Sequence, residues 1–475
     1  MLRLPWLLLL AAVGLFSGPA PCQPTNVVFL LVDDMGYADV GAYGNRYHRT
    51  PNIDRLAAEG MRFTDAYAAA PNCSPTRASI LTGRWPARIG LTQYLPGNVL
   101  PHARKLQAQL PIGLPLDETV LAEPLSAAGY ATACIGKWHL GNGEYAPERR
   151  GFDQSFASSH WGSHQTMFAP HKRLVVPDAK DGEYLTDQLT AAAERFMQQN
   201  VDRPFFLYLP YYAVHSPIQA KPELIDGYAG RSDPTGRQNA VYAAMVEGVD
   251  RSVGRLLEQI EKLGLDERTA VFFFSDNGGV PSRAFNGGFR SGKGYLWEGG
   301  IREPLIVRWP GTVRAGTMER SPVSSVDFYP TILEIADAPD LPGHATDGLS
   351  LIPLLRGTGS LPRDELFWHY PHYSNSGSKP AGAIRRAGWK LIEFYEDSHV
   401  ELYDLAKDPK ESQDIAAAMP ERARSMRSRL QAWRESVGAV MPAENPAFEP
   451  ANATERYGLS YKDRWDPIDP IRARN

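Results

Sequence analysis

The chain has 475 residues, with 50 basic and 54 acidic side chains and a formal net charge of −4. That length accommodates roughly two or three domains, or one large α/β domain with an appendage. A near-balanced charge sets up no positive field for a polyanion. Nucleic-acid binding therefore gets no support, and any anion must be recognised by local Arg, Lys and His.

Residues 1–22 begin with a short basic region at Arg3, continue through an apolar run from Leu7 to Phe16, and end in small residues around Gly18-Pro19-Ala20. This is the pattern of a secretory signal peptide. The apolar run is too short to cross a bilayer, and no later segment reads as membrane-spanning. Pro19-Ala20-Pro21-Cys22 is a poor lipoprotein box, so no lipid anchor at Cys22 is expected. The expected location is secreted, periplasmic or lumenal. With only three cysteines, and Cys134 inside an apolar run, the fold needs no disulfide framework.

Asn26 to Val32 is a continuous apolar, β-branched run, typical of a strand buried on both faces, and it ends in Asp33-Asp34-Met35-Gly36. Pro51 to Glu59, closed by Gly60, predicts a helix, as does Glu118 to Ala128, closed by Gly129. Ala131 to Ile135 predicts a strand leading to Gly136-Lys137-Trp138-His139, and Pro204 to Leu209 another leading to His215. A long amphipathic helix follows from Tyr242 to Leu263, then a strand from Thr269 to Phe274 ending in Asp276-Asn277. Alternating strands and helices imply an α/β fold with a large mixed, mostly parallel sheet flanked by helices. Polar residues follow strand after strand at the C-terminal end, where open α/β sheets place their ligands.

After Gly357 the texture changes. Leu366–Tyr370, Gly382–Arg386, Trp389–Tyr395 and Val400–Tyr403 read as short antiparallel strands, and Glu421–Val437 as a closing helix. This predicts a small C-terminal α+β domain with an antiparallel sheet, at residues 361–440. The tail, 441–475, is rich in Pro, Asn and Asp and reads as irregular.

Two acid-rich strand ends stand out. One adjacent acid pair is most often a solvated turn. Asp33, Asp34, Asp276 and Asn277, at the ends of two buried strands, are instead suited to converge as oxygen ligands on a hard cation, Ca²⁺ or Mg²⁺. The absence of a Cys/His cluster argues against structural zinc.

In Pro71-Asn72-Cys73-Ser74-Pro75-Thr76-Arg77, Ser74 and Pro75 read as the cap and first turn of a helix running to Leu81 and stopped near Gly83. Residue 73 then lies at a helix N-terminus that favours an anion, and Arg77 one turn on can lean back toward it. The run Cys73-Ser74-Pro75-Thr76-Arg77, continuing to Thr82-Gly83-Arg84, resembles the signature of the type I, formylglycine-dependent sulfatases of the alkaline-phosphatase-like superfamily. Gly129-Tyr130 through Gly136-Lys137-Trp138-His139-Leu140 resembles the second signature of that family. The overall texture is most similar to the branch of arylsulfatase A and N-acetylgalactosamine-6-sulfatase.

The resemblance implies that Cys73 is converted by a formylglycine-generating maturation enzyme into 3-oxoalanine. Its aldehyde hydrate would attack sulfur and pass through an enzyme-sulfate intermediate. It implies metal ligation by Asp33, Asp34, Asp276, Asn277 and the modified residue 73. Arg77, Lys137 and Lys293 would offset charge on the sulfate oxygens. His139 would deprotonate the hydrate, and His215 with Lys293 would hold sulfate and help protonate the leaving alcohol. Residues 23–360 would form the sulfatase domain.

For the leaving group, His160, Trp161, His164 and the cluster His369-Tyr370-Pro371-His372-Tyr373, with Arg385 and Arg386, are the candidates for an outer pocket. Aromatic and polar groups of this kind suit a sulfated glycan or saccharide, although Trp368–Tyr373 reads equally well as a packed strand. The alternatives are a general arylsulfatase, a phosphonate or phosphate ester hydrolase of the same superfamily, and an inactive sulfated-glycan binding protein.

Overall fold

Asn26–Val32 forms the central strand β1 because its side chains are apolar on both faces. Val28, Leu30 and Val32 pack into one hydrophobic layer, and Val27, Phe29 and Leu31 into the other. The computed structural model describes residues 24–233, 236, 239–454 and 457–458. The signal-peptide reading of residues 1–22 lies outside them, as does most of the tail.

The principal strands are β1, β2 (Met61–Tyr67), β3 (Ala131–Ile135), β4 (Gln154–Phe156), β5 (Phe205–Pro210), β6 (Thr269–Ser275), β7 (Arg302–Arg308) and β8 (Thr317–Glu319). Together with Val323–Ser324 beside β2 they make one nine-stranded sheet, in the order β8-β2-β7-β6-β1-β5-β3-β4. β1 pairs in parallel with β5 and β6, and β3 in parallel with β4 and β5. β7 alone runs against its neighbours β2 and β6. The sheet is thus mixed and mostly parallel, as the alternation of elements predicts.

Helices α1 (Pro51–Glu59), α4 (Leu185–Gln199) and α5 (Ala240–Lys262) cover one face, and α2 (Cys73–Thr82), α3 (Ala122–Ala127) and α6 (Phe328–Ala336) the other. Asp250 of α5 accepts hydrogen bonds from the amides of Asn52 and Ile53 at 2.9 and 2.8 Å, so a tertiary contact satisfies the open first turn of α1. Helix α3 is shorter than the span 118–128 predicted from the sequence. Pro124 has no amide to give, so it belongs in a first turn and places the helix start near Ala122. Helix α2 begins at Cys73 with Asn72 as its N-cap residue, so Ser74 is not the cap.

The C-terminal sheet is a four-stranded antiparallel meander, β9 (Glu365–Tyr370), β10 (Ala381–Arg386), β11 (Trp389–Phe394) and β12 (Val400–Asp404), packed against α7 (Pro420–Ser436). It is locked to the large sheet by buried charge. Lys390 Nζ on β11 lies 3.0 Å from Glu298 and 2.9 Å from Glu411, with all three side chains shielded from solvent. The described tail has little regular structure, apart from two-residue pairings of Ala443–Glu444 with Lys105–Leu106 and Tyr457–Gly458 with Asn98–Val99. Among the described residues no helix is long and apolar enough to cross a membrane.

Candidate active site

Five chain segments deliver side chains to the C-terminal edge of the parallel strands. β1 hands on Asp33 and Asp34, β6 hands on Asp276 and Asn277, β3 leads to Lys137 and His139, β5 leads to His215, and α2 starts at Cys73. Asp33, Asp276, Asn277, Arg77 and Lys137 are fully buried. Ligand atoms of Asp33, Asp34, Cys73 and Asp276 all lie within 4.8 Å of one another. Asn277 joins them by donating from Nδ2 to Asp34 Oδ1 at 2.8 Å.

Each carboxylate meets a cation. Lys137 Nζ is 2.6 Å from Asp33 Oδ2, Lys293 Nζ is 2.6 Å from Asp34 Oδ1, and Arg77 Nη2 is 2.7 Å from Asp276 Oδ2. Arg77 does turn back toward the helix start. Its guanidinium is then committed to Asp276 and to the Lys137 carbonyl at 2.7 Å, so it organises an acidic ligand instead of facing the cleft. Burial opposes ionisation of Asp34, yet Lys293, His215 and Lys137 together hold its carboxyl below the usual carboxylate range. Burial and the neighbouring Asp33 push Asp276 up to about 6, against the pull of Arg77.

Two buried acceptors here receive no hydrogen bond, Asp34 Oδ2 and Asn277 Oδ1. A buried unsatisfied oxygen costs about 1–3 kcal/mol, and more when charged. Both atoms are hard oxygen donors beside Asp33 and Asp276, the donor set that Ca²⁺ or Mg²⁺ takes. The residues present therefore fit a hard divalent cation. Three carboxylates already face three cations, so adding such an ion leaves the site electropositive, as an anionic ester requires.

Cys73 is buried at the first position of α2, with Sγ 3.5 Å from both Asp33 Oδ1 and Lys293 Nζ. Burial pushes its thiol up to about 12, so the unmodified side chain stays protonated near neutrality. His139 Nε2 lies 2.6 Å from the Leu95 carbonyl, which can only accept, so Nε2 carries the proton and Nδ1 holds the free lone pair. Nδ1 is buried and has no hydrogen-bond partner. Burial first, and Lys137 second, keep the imidazole well below its ordinary pKa, hence neutral. Ser74 fixes this arrangement, because Oγ donates to the His139 carbonyl at 2.8 Å and accepts from the Leu95 amide at 3.1 Å. His215 places Nδ1 2.9 Å from the Ser216 carbonyl and turns Nε2 toward Asp34 Oδ2 at 3.7 Å; burial and Lys293 lower it to about 3.

A cleft of about 240 Å³ opens onto this cluster. Its walls include Cys73, Tyr94, Leu95, Pro96, His139, Trp161, Arg173, His215, Lys293 and Asn375. Of the expected outer-pocket residues, the structure brings only Trp161 into that lining. His369 is a buried strand residue held between the Tyr395 hydroxyl at 2.8 Å and the Val440 carbonyl at 3.0 Å. Arg385 pairs with Asp65 at 3.0 Å and lies over the Tyr67 ring. His372 bonds Thr92 at 2.7 Å, and His164 packs on Tyr212 with Nε2 3.2 Å from Met167 Sδ. His160 is buried, its ring tilted against that of Trp161 with centroids 4.9 Å apart. On β9 every side chain from Leu366 to Tyr370 is buried, so both faces of the strand are packed and the packed-strand reading holds there. Tyr94, Arg173 and Asn375 were not picked out from the sequence. They sit on loops with no motif, and only folding brings them to the cleft.

A family model described as Sulfatase matches residues 25–338, and one described as N-sulphoglucosamine sulphohydrolase, C-terminal, matches residues 289–436. The chain is 34% identical over 474 residues to arylsulfatase A of Homo sapiens, covering 86% of this chain and 87% of that protein. It is 38% identical over 389 residues to N-acetylgalactosamine-6-sulfatase of Canis lupus familiaris, covering 76% of this chain and 72% of that protein. It is also similar to the crystal structure of Ps i-CgsB in complex with k-i-k-neocarrahexaose, at a TM-score of 0.77 and 30% identity, covering 91% of this chain and 98% of that one. The chain belongs to the sulfatase family, with its alkaline-phosphatase-like fold, and is a sulfuric ester hydrolase.

Proposed function

We propose that this chain removes sulfate from a sulfated carbohydrate, with residue 73 as formylglycine and Asp33, Asp34, Asp276 and Asn277 holding a divalent cation, Ca²⁺ or Mg²⁺. The observation that carries this reading is the convergence of Cys73 with three carboxylates, three cations and a neutral His139 in a buried cluster at the floor of one cleft. The relatives support the carbohydrate, since one is named for a sulfated amino sugar and another was crystallised with neocarrahexaose.

When present, the aldehyde hydrate would supply an oxygen nucleophile, and the cation would hold that oxygen close to the sulfate. Lys293 lines the cleft where sulfate oxygens would enter, with Lys137 buried behind it on Asp33, and their ammonium groups would complement charge developing on those oxygens. His139 is oriented by Leu95 with Nδ1 free to take a proton, which suits a general base. His215 rests neutral and gains a proton as a bound sulfate adds negative charge beside Nε2, which places it to assist the leaving alcohol.

The same reading assigns residues 1–22 to a signal peptide, 23–360 to the sulfatase domain, 361–440 to the C-terminal subdomain and 441–475 to the tail. It implies export from the cytosol and a formylglycine-generating maturation enzyme as partner. The test is a panel of defined sulfated saccharides incubated with matured protein, reading released inorganic sulfate, alongside mass spectrometry of the peptide containing residue 73. Sulfate release with an aldehyde at position 73 is expected. An unmodified cysteine in fully active protein, or faster cleavage of phosphate than of sulfate esters, would overturn the proposal.

A further inference from the structure

Arg173 and Trp161 stand together in the wall of the cleft that holds Cys73, His139, His215 and Lys293. The guanidinium carbon of Arg173 lies 4.4 Å from the centre of the Trp161 ring, a cation–π stack that sets the direction of the planar cation. Ser159 ties the two residues together, its Oγ accepting from the Trp161 amide at 3.2 Å and donating to the Arg173 carbonyl at 3.5 Å. The charge is therefore held in place before any ligand arrives.

Its electrostatic setting differs from that of the inner cations. Arg77, Lys137 and Lys293 each have a carboxylate within 2.7 Å. Arg173 forms no ion pair with any carboxylate among the described residues, and none of the cleft's described walls is acidic. An aromatic face stabilises a guanidinium without neutralising it, so its donor edge remains available for an anion. The cleft is small for a ligand pocket, at about 240 Å³. Arg173 and Cys73 line this one cleft, so an anion at Arg173 while a sulfate ester sits at Cys73 fits a group on the same ring or a neighbouring one.

We infer that Arg173, stacked on Trp161, is a second anion site that selects substrates carrying another negative group, sulfate or carboxylate, close to the ester that is cleaved. This rests on the carbohydrate reading above and narrows it to multiply charged saccharides. Arg173 is thus a specificity-determining residue that binds substrate away from the reacting sulfur.

The experiment compares kcat/KM for a singly sulfated saccharide with that for two close analogues, one bearing a second sulfate and one a neighbouring carboxylate, in the metal-loaded, matured enzyme. In the wild type at least one doubly charged analogue is preferred, and the preference shrinks as salt rises. In Arg173→Gln the preference ratio falls by about tenfold or more, through KM rather than kcat. In Arg173→Glu the ratio inverts, while Arg173→Lys keeps part of it. The Lys and Glu variants carry the test if the Gln variant does not fold. Preference for only the sulfated or only the carboxylated analogue supports the site and identifies its anion. An unchanged ratio in folded Gln and Glu variants, or no preference in the wild type, overturns the inference and leaves the carbohydrate reading standing. Hydrolysis of an aryl sulfate with no saccharide cleaved overturns both.

Discussion

Gly162 lies against the imidazole of His139: a methyl group at position 162 would stand 2.5 Å from Cε1 and 2.7 Å from Nε2. The ring has little room to retreat, because it is buried and bonded to Leu95. Gly162→Ala is therefore expected to tilt the proposed base and stretch its bond to Leu95. A displacement approaching an ångström can cost about 10²-fold in rate. Steady-state kinetics should show kcat down by about 10–100-fold with KM little changed. Wild-type kcat in this variant would mean that the orientation of His139 does not matter.

Cys73→Ala removes the nucleophile precursor while leaving a small side chain in a packed site. Turnover should fall by about four orders of magnitude or more, with the melting temperature close to wild type. Cys73→Ser should behave almost the same when the host lacks a maturation enzyme that accepts serine. Activity assays paired with mass spectrometry of residue 73 check both variants.

The unpartnered oxygens of Asp34 and Asn277 predict that metal removal costs stability as well as activity. A cation present at 100 times its dissociation constant adds about 2.7 kcal/mol to the folded state. Dialysis against a chelator should lower the melting temperature and abolish sulfate release, and Ca²⁺ or Mg²⁺ should restore both. Asn277→Ala should raise the metal concentration needed for recovery. Full activity in chelator would sink the cation assignment.

Lys390→Met leaves Glu298 and Glu411 facing each other in the buried seam between the two sheets. Breaking a buried pair in this way costs about 3–5 kcal/mol. Denaturant unfolding should report that loss. Because Glu298 opens the short helix Glu298–Ile301 that follows the Lys293 loop, kcat should fall in the folded fraction too.

Acid should destabilise the fold through buried histidines. Burial lowers His164 from 6.5 to about 3 and His369 from 6.5 to about 4. Below pH 6.5 the unfolded chain takes up the proton first, so stability present above that pH is lost as pH falls toward the folded values. Each group contributes about 1.4 kcal/mol per pH unit in that window. Asp250, raised to about 6 mainly by burial, acts with opposite sign between pH 6 and its ordinary value of 3.8. Comparing wild type with His164→Asn isolates one histidine. The variant's unfolding free energy should fall less steeply between pH 6 and 4, and parallel curves would refute the assignment.

The large sheet was legible because buried parallel strands need uninterrupted apolar runs, and Asn26–Val32 and Thr269–Ser275 are such runs with acids at their ends. The inner cluster was legible for the same reason, since strand ends share one edge and Lys137, His139 and His215 each follow a strand. Of the outer wall, only Trp161 was. His369 and Arg385 lie on strands whose side chains are drawn into packing, and Arg173 lies on a loop without periodicity.

The linear order of residues by itself determined the class of fold, the edge where chemistry gathers and the residue types assembled there, because apolar runs, their alternation with helical segments and the polar residues that end them are local properties. Only the tertiary structure decided which cation meets which carboxylate, that Arg77 is spent on Asp276, and that Arg173 joins Trp161 in the cleft wall while the histidines of the C-terminal sheet do not. Those outcomes depend on loop paths and side-chain packing between segments hundreds of residues apart, which no spacing along the chain encodes.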